Sequence, residues 1–216
     1  MTTTATVTAR AIVTAALRKI GVVAADEPAS GDAITEGIAA LNRFLKSLQN
    51  RGVNIWATSA QTVTLTTAAA QTLDPVRPMQ ILSCRFKRNG VEMPMIEMTR
   101  GEYDRLPVKT TQGTPTQFHY DRQRAAAVLY VWPVLATAAG ETLEITYTRE
   151  LEDETADVQV DVPSEWYDAI VYGLADRLAD DYGVNAPKVT VRAEREINIA
   201  LAFDREGSVF FAGPNA

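Results

Sequence analysis

The apolar spacing changes its period within residues 32–66, which read DAITEGIAALNRFLKSLQNRGVNIWATSAQTVTLT. In the first part, an apolar residue recurs every three or four positions, at Ile34, Ile38, Leu41, Leu45 and Leu48. This spacing predicts a helix with one buried face, which Asp32 caps and Gly52 ends. In the last part, Val63 and Leu65 alternate with threonines, which is typical of a β-strand. The stretch therefore predicts a helical block followed by a β-rich block.

A shorter helix is predicted upstream of this one. Its apolar stripe is formed by Ile12, Val13, Ala16, Leu17 and Ile20. Gly21 follows as a C-terminal stop, and the two basic residues before it favour the negative end of the helix dipole. Two helices joined by a short loop are expected to pack as an antiparallel hairpin.

The middle block predicts several short strands. Asn89-Gly90 is a hairpin turn signal, and in the strand before it Leu82, Cys84 and Phe86 are expected to share one face. Further strands are predicted at residues 117–120, 128–132 and 143–148. Frequent prolines keep these strands short, which favours a small antiparallel sandwich or barrel.

The last block is helical again. After an acidic linker at residues 150–161, Pro163 suits a first helical turn, and Gly183 ends that helix. Asn185 and Pro187 then predict the start of a second helix. The sequence thus predicts an α+β protein, in which N-terminal and C-terminal helix pairs form one helical bundle, with a central antiparallel β-sandwich or barrel domain between them in the sequence. The expected divisions are residues 1–56 for the N-terminal hairpin, 57–150 for the β-rich domain, 151–206 for the C-terminal helix pair and 207–216 for a tail.

The residues that usually carry chemistry are few. The chain of 216 residues has one Cys and one His, which excludes an internal disulfide and a Cys/His zinc site. His119 is expected to be a half-buried or surface strand residue, and Cys84 a small core residue. The carboxylates of the acidic linker lack the spacing and central glycine of a calcium loop, so a solvated, flexible linker is the favoured interpretation. We therefore predict no catalytic site, no bound metal and no cofactor, and the protein is not expected to be an enzyme.

Charge is unevenly distributed along the chain. The formal net charge is −6, but residues 1–140 carry +5 and residues 141–216 carry −11. Two interpretations explain this distribution equally well. Either solvated helices simply carry many Asp and Glu residues, or the protein has two surfaces with different tasks, one positive and one that repels phosphate. No stretch approaches 18 uninterrupted apolar residues, so no membrane span is predicted.

The C-terminal tail carries an apolar run. Val209, Phe210 and Phe211 lie between Gly207 and Pro214. Exposed aromatic residues on a free terminus require a docking surface. That surface is either the chain's own bundle or a partner subunit, and both alternatives stay open at this point.

The layout resembles the head-to-tail connector proteins of short-tailed phages, which include the tail tubular protein A type and the packaged-DNA-stabilisation adaptors. The segments that carry the resemblance are 16–21 (ALRKIG), 114–118 (TPTQF), 131–133 (VWP), 162–166 (VPSEW) and 173–179 (GLADRLA). These motifs are individually loose and structural in kind. The order of helix pair, β domain and helix pair is the more specific part.

The resemblance implies a structural virion protein at the head–tail junction, assembled in the host cytoplasm. It implies a homo-oligomeric ring of twelve subunits under the portal protein, which extends the DNA channel, helps to retain packaged DNA and offers a docking platform for a tail or nozzle protein. Packaged DNA would pass through without specific binding, and no membrane is involved. The tail residues expected to bind the portal are Gly207, Val209, Phe210, Phe211 and Pro214. The alternatives are another tail-tube or head-completion protein and, less favoured, a virion-associated cell-wall hydrolase.

Overall fold

The computed structural model describes residues 7–50, 57–73, 77–124 and 126–203. The chain separates into two compact units. The helical unit comprises Met1–Trp56 and Leu151–Ala216, and the sandwich unit comprises Ala57–Glu150. In chain order the elements are α1 (Ala9–Lys19), α2 (Gly31–Asn50), β1 (Thr58–Thr64), β2 (Ala70–Leu73), β3 (Gln80–Arg88), β4 (Val91–Pro94), β5 (Ile96–Glu97), α3 (Arg100–Asp104), β6 (Gln117–Asp121), β7 (Ala127–Trp132), β8 (Thr142–Thr148), α4 (Tyr167–Asp181) and α5 (Pro187–Phe203). The predicted α+β class is confirmed.

The helical unit is organised around α4, which packs against α1, α2 and α5. A single 3-10 turn, Ser164–Trp166, leads into α4 and buries the indole of Trp166. The predicted stripe of α1 is buried, and the helix stops before Gly21, whose φ of +75° suits glycine. The cap predicted for α2 was wrong: Ser30, not Asp32, accepts the hydrogen bond from the Ala33 amide, at 3.2 Å.

Two glycines allow the helices to approach closely. A Cβ on Gly37 of α2 would lie 2.3 Å from Cγ1 of Val13 on α1. A Cβ on Gly173 of α4 would lie 2.3 Å from Cζ of Phe44 on α2. Real Cβ atoms do not make contacts this short, so both crossings require a residue without a side chain.

The sandwich unit contains two four-stranded sheets, ordered β1-β8-β3-β4 and β2-β7-β6-β5. Their inward side chains form one shared core, which includes Phe86, Leu129 and Leu143. The sequence predicted either a sandwich or a barrel, and the structure is a sandwich. The pairing is antiparallel except between β5 and β6, which run parallel because the chain passes from β4 into the second sheet at Met95.

The predicted hairpin between β3 and β4 is present. Asn89 and Gly90 both have positive φ, 51° and 78°, as a two-residue primed turn requires. The predicted face of β3 was wrong at one position. The pairing with β8 shifts between Ile81 and Ser83, so Ile81 is buried and Leu82 is 52% exposed.

Candidate interaction surfaces

His119 is a packing residue and is more buried than the sequence predicted, at 7% exposure. Its neighbours Phe118 and Tyr120 belong to the sandwich core, so its ring lies on the opposite face of the sheet. There it packs in a cluster of three rings with Tyr103 of α3 and Tyr130 of β7, whose ring centroids lie 5.5 Å and 6.2 Å from its own and 4.9 Å from each other. Its Nδ1 lies 3.0 Å from the carbonyl oxygen of Met98. The short helix α3 therefore explains the burial.

A capping signal for α3 is present in the sequence but did not enter the prediction. Thr99 and Glu102 form a capping box, in which each side chain bonds the other residue's backbone amide. The T-x-x-E pattern at residues 99–102 is the signal that predicts such a helix start.

Cys84 lies in the sandwich core, as predicted. It is 2% exposed, and its Sγ lies 3.8 Å from Sδ of Met95. Burial raises the pKa of the Cys84 thiol to about 12. The side chain is therefore protonated at neutral pH and is a poor nucleophile.

The acidic linker is not the flexible segment that the sequence predicted. Residues 151–162, which we call the acidic strap, lie along α2 and the start of α1. The side chain of Asn42 donates to the carbonyl of Glu154 at 3.2 Å and accepts from its amide at 2.8 Å. Lys46 donates to the carbonyl of Leu151, and Gln49 accepts from the Leu151 amide. Asn42, Lys46 and Gln49 follow one another along α2 at spacings of four and three residues, so their side chains share one face of the helix.

Several carboxylates of the acidic strap also have partners. Arg10 makes a two-pronged ion pair with Asp157, at 2.9 and 3.3 Å, and this contact lowers the pKa of Asp157. Glu154 is 7% exposed and accepts a hydrogen bond from the amide of Asp161. Burial raises the pKa of Glu154. The sequence signal for this packing was the apolar set Leu151, Val160 and Val162, all of which are buried.

The acidic excess belongs to the helical unit. This unit contains 11 basic and 18 acidic residues, a net charge of −7, whereas the sandwich unit contains 10 and 9, a net charge of +1. The net charges of +5 and −11 on the two parts of the sequence therefore do not correspond to the charges of the two units of the fold. The reason is that the basic N-terminal helices belong to the same unit as the acidic C-terminal ones.

One end of the helical unit gathers several carboxylates. Glu36 of α2, Val22 after α1 and Tyr182 after α4 line one surface hollow of about 380 Å³. A neighbouring hollow of about 610 Å³ lies between α4 and α5 and includes Asp176 and Asp180. Asp180 and Asp181, at the end of α4, are both exposed.

Within the described ranges, no group of three or more His, Cys, Asp or Glu side chains is placed to hold a metal ion. In the same ranges, no helix is long and apolar enough to cross a bilayer. The tail residues that the sequence singled out, Gly207, Val209, Phe210, Phe211 and Pro214, lie outside the described residues.

The single His and the single Cys are thus both packed inside the sandwich unit, and the remaining notable features are surfaces. The model of the SU10 adaptor protein family matches residues 7–208, and the chain belongs to this family. It is a family of structural phage adaptors and is not known for enzymatic activity. No curated protein matches the chain.

Proposed function

We propose that this protein is a head-to-tail adaptor of a bacteriophage virion, which forms a ring of twelve subunits under the portal protein. In this role the ring extends the DNA channel, helps to retain the packaged genome and gives the tail or nozzle proteins a docking platform. The observation that carries the proposal is the family match over residues 7–208, almost the whole chain. Assembly takes place in the host cytoplasm, and the finished protein resides at the head–tail junction.

The charge distribution supports the channel part of the proposal. A channel component must let DNA leave, so it should not bind phosphate tightly. The helical unit, with a net charge of −7, is the part of the chain suited to face the DNA. The nearly neutral sandwich unit is then available for contacts with the tail proteins.

The tail supports the portal part of the proposal. Phe210 and Phe211 are large apolar side chains near the end of the chain, and such residues act as anchors when a partner offers an apolar pocket. Gly207 and Pro214 flank the run in the sequence. We assign residues 207–216 to portal binding.

Mass photometry of the full chain, with and without purified portal protein, tests the proposal. We expect a ring, either free or formed on the portal. The variant Phe210→Ser/Phe211→Ser is expected to lose portal binding, whereas the control Ser208→Ala in the same segment should keep it. A chain that stays monomeric and does not bind portal under any condition contradicts the adaptor function. A double serine variant that still assembles on the portal contradicts only the role of the tail.

A further inference from the structure

Strand β1 leaves an open edge on the sandwich unit. In its sheet, β1 pairs only with β8, and no other described strand lies on its outer side. It is seven residues long, and its burial alternates between exposed and intermediate along its whole length. A long exposed edge carries a row of backbone groups that can pair with another strand.

The hydrogen bonds at the two ends of β1 show which backbone groups face outward. The Leu65 amide donates to the carbonyl of Glu141 at 2.9 Å, and the Arg149 amide donates to the carbonyl of Ala57 at 2.7 Å. Both contacts follow the register of β1 and β8, so the odd-numbered residues of β1 bond to β8. The N–H and C=O groups of Ala60, Thr62 and Thr64 therefore point to the open side.

The opposite edge of the same sheet is protected. The Met95 amide donates to the carbonyl of Cys84 at 2.9 Å, so Glu92 and Pro94 of β4 present their backbones outward. Proline has no N–H to offer an incoming strand. Glu92 adds a charge that is engaged with Arg85 at 3.2 Å and Lys87 at 3.6 Å. Prolines and charges are the usual protection of a sheet edge.

Strand β1 has neither protection. Between Arg51 and Asp74 the sequence has 22 consecutive residues without a charge. This stretch contains no proline either. A protected β4 edge and an unprotected β1 edge on one sheet indicate that β1 is kept open for a strand.

We propose that the open edge of β1 binds β1 of a second copy of this chain, antiparallel across a two-fold axis. Placing the two-fold axis at Gln61 sets residues 60–62 of the two copies opposite each other. Ala60 then lies opposite Thr62 of the second copy, so that the outward backbone groups of each strand meet those of the other. The pairing joins two uncharged strands and incurs no like-charge repulsion, and Thr-rich cross-strand pairs are favourable.

Pairing with β1 of a second copy fits this edge better than pairing with β4, which is the other edge strand of the same sheet. Pairing with β4 of a second copy would face Pro94, which cannot donate, and would bring Glu92 to an uncharged strand. A two-fold contact also differs from the head-to-tail contact that closes a ring, so this inference goes beyond the proposed function.

Two matched double variants test the contact and its register. Ala60→Lys/Thr62→Lys places lysines opposite lysines across the axis, and Ala60→Glu/Thr62→Lys places each glutamate opposite a lysine. Both add exposed charges at the same two positions. A third variant, Ala60→Pro, removes one outward N–H without removing a hydrogen bond to β8.

The experiment is sedimentation velocity of the full chain over a dilution series, with circular dichroism to confirm that each variant is folded. We expect a concentration-dependent dimer for the unchanged chain and for Ala60→Glu/Thr62→Lys. The Lys/Lys and Pro variants should raise the dimer Kd by about tenfold or more. A monomeric unchanged chain, or a dimer that survives both the Lys/Lys and the Pro changes, overturns the proposal. Equal weakening by the two charged variants overturns the register.

Ring formation on the portal is measured separately, so the two proposals fail separately. If the chain does not dimerise but still forms a ring on the portal, the edge contact is refuted and the adaptor function stands. If the chain dimerises through β1 but does not bind portal, the adaptor function is refuted and the edge contact stands.

Discussion

The contact between Gly37 and Val13 predicts a measurable loss of stability for Gly37→Ala. The new Cβ would lie 2.3 Å from Cγ1 of Val13 and 3.1 Å from its Cγ2. Val13 is fully buried, and a β-branched side chain in a helix has one strongly preferred rotamer, so it cannot turn away. The helices must therefore move apart.

The magnitude follows from two opposing effects. Overpacking of a close-packed core costs about 1–3 kcal/mol. Alanine is favoured over glycine in a helix interior by about 1 kcal/mol, which offsets part of that cost. A separation of 2.3 Å is far shorter than any real Cβ contact, so we take the upper part of that range, about 2–3 kcal/mol. The expected net destabilisation is then about 1–2 kcal/mol, with a fall in Tm of roughly 2–8 °C for a chain of this size.

Urea unfolding followed by far-UV circular dichroism measures this change, because most of the helical residues belong to the helical unit. Gly31→Ala is the matched control: Gly31 begins the same helix, and a Cβ there meets nothing within 4 Å. The control should stay within about 0.5 kcal/mol of the unchanged chain. In the double variant Val13→Ala/Gly37→Ala the new Cβ has room, so the two losses should not add. A Gly37→Ala chain as stable as the unchanged chain, or additive losses in the double variant, would refute the packing argument.

Two further predictions concern buried ionisable groups. Because burial raises the pKa of Glu154, its carboxylate opposes folding, and its contribution to stability should fall as pH rises from the ordinary value of 4.5 through the raised folded pKa. Urea unfolding over a pH series measures this. Glu154→Gln should remove the fall in the free energy of unfolding, whereas Glu152→Gln at an exposed position should not. A difference in the free energy of unfolding between the unchanged chain and Glu154→Gln that stays constant with pH contradicts this. Cys84, with its thiol pKa raised to about 12, should react with Ellman's reagent far more slowly in the folded chain than in urea. Equal rates in the two states would show that the thiol is accessible in the folded protein.

Local signals predicted the elements well. The stripes of α1 and α2 were readable because a helix with one buried face must repeat its apolar residues every three or four positions. The hairpin at Asn89-Gly90 was readable because a two-residue primed turn requires positive φ at both positions, which this pair adopts at low cost. The α+β class and the resemblance to phage adaptors followed from the order of these elements, and both are confirmed.

Apart from the cap of α2, the errors lie where a distant part of the chain decides the outcome. Leu82 is exposed because the pairing of β3 with β8, some 60 residues away in sequence, shifts by one residue. His119 is buried because α3 covers its face of the sheet. Alternation within a strand carries no information on either event, since a register shift and a covering helix are set by other segments.

The same division applies to function. The sequence by itself determined the periodic faces, the hairpin, the net charge of −6 and the family. Only the tertiary structure decided that the acidic strap is held by Asn42 and Lys46, that the charge gathers in one unit, and that β1 keeps an open edge while β4 is protected. The physical reason is that these properties depend on distant parts of the chain. The strap is held by residues about 100 positions away in the sequence, and the open edge depends on which strand is outermost in its sheet. Local sequence patterns determine the elements, but packing determines which of their backbone groups and charges remain available to other molecules.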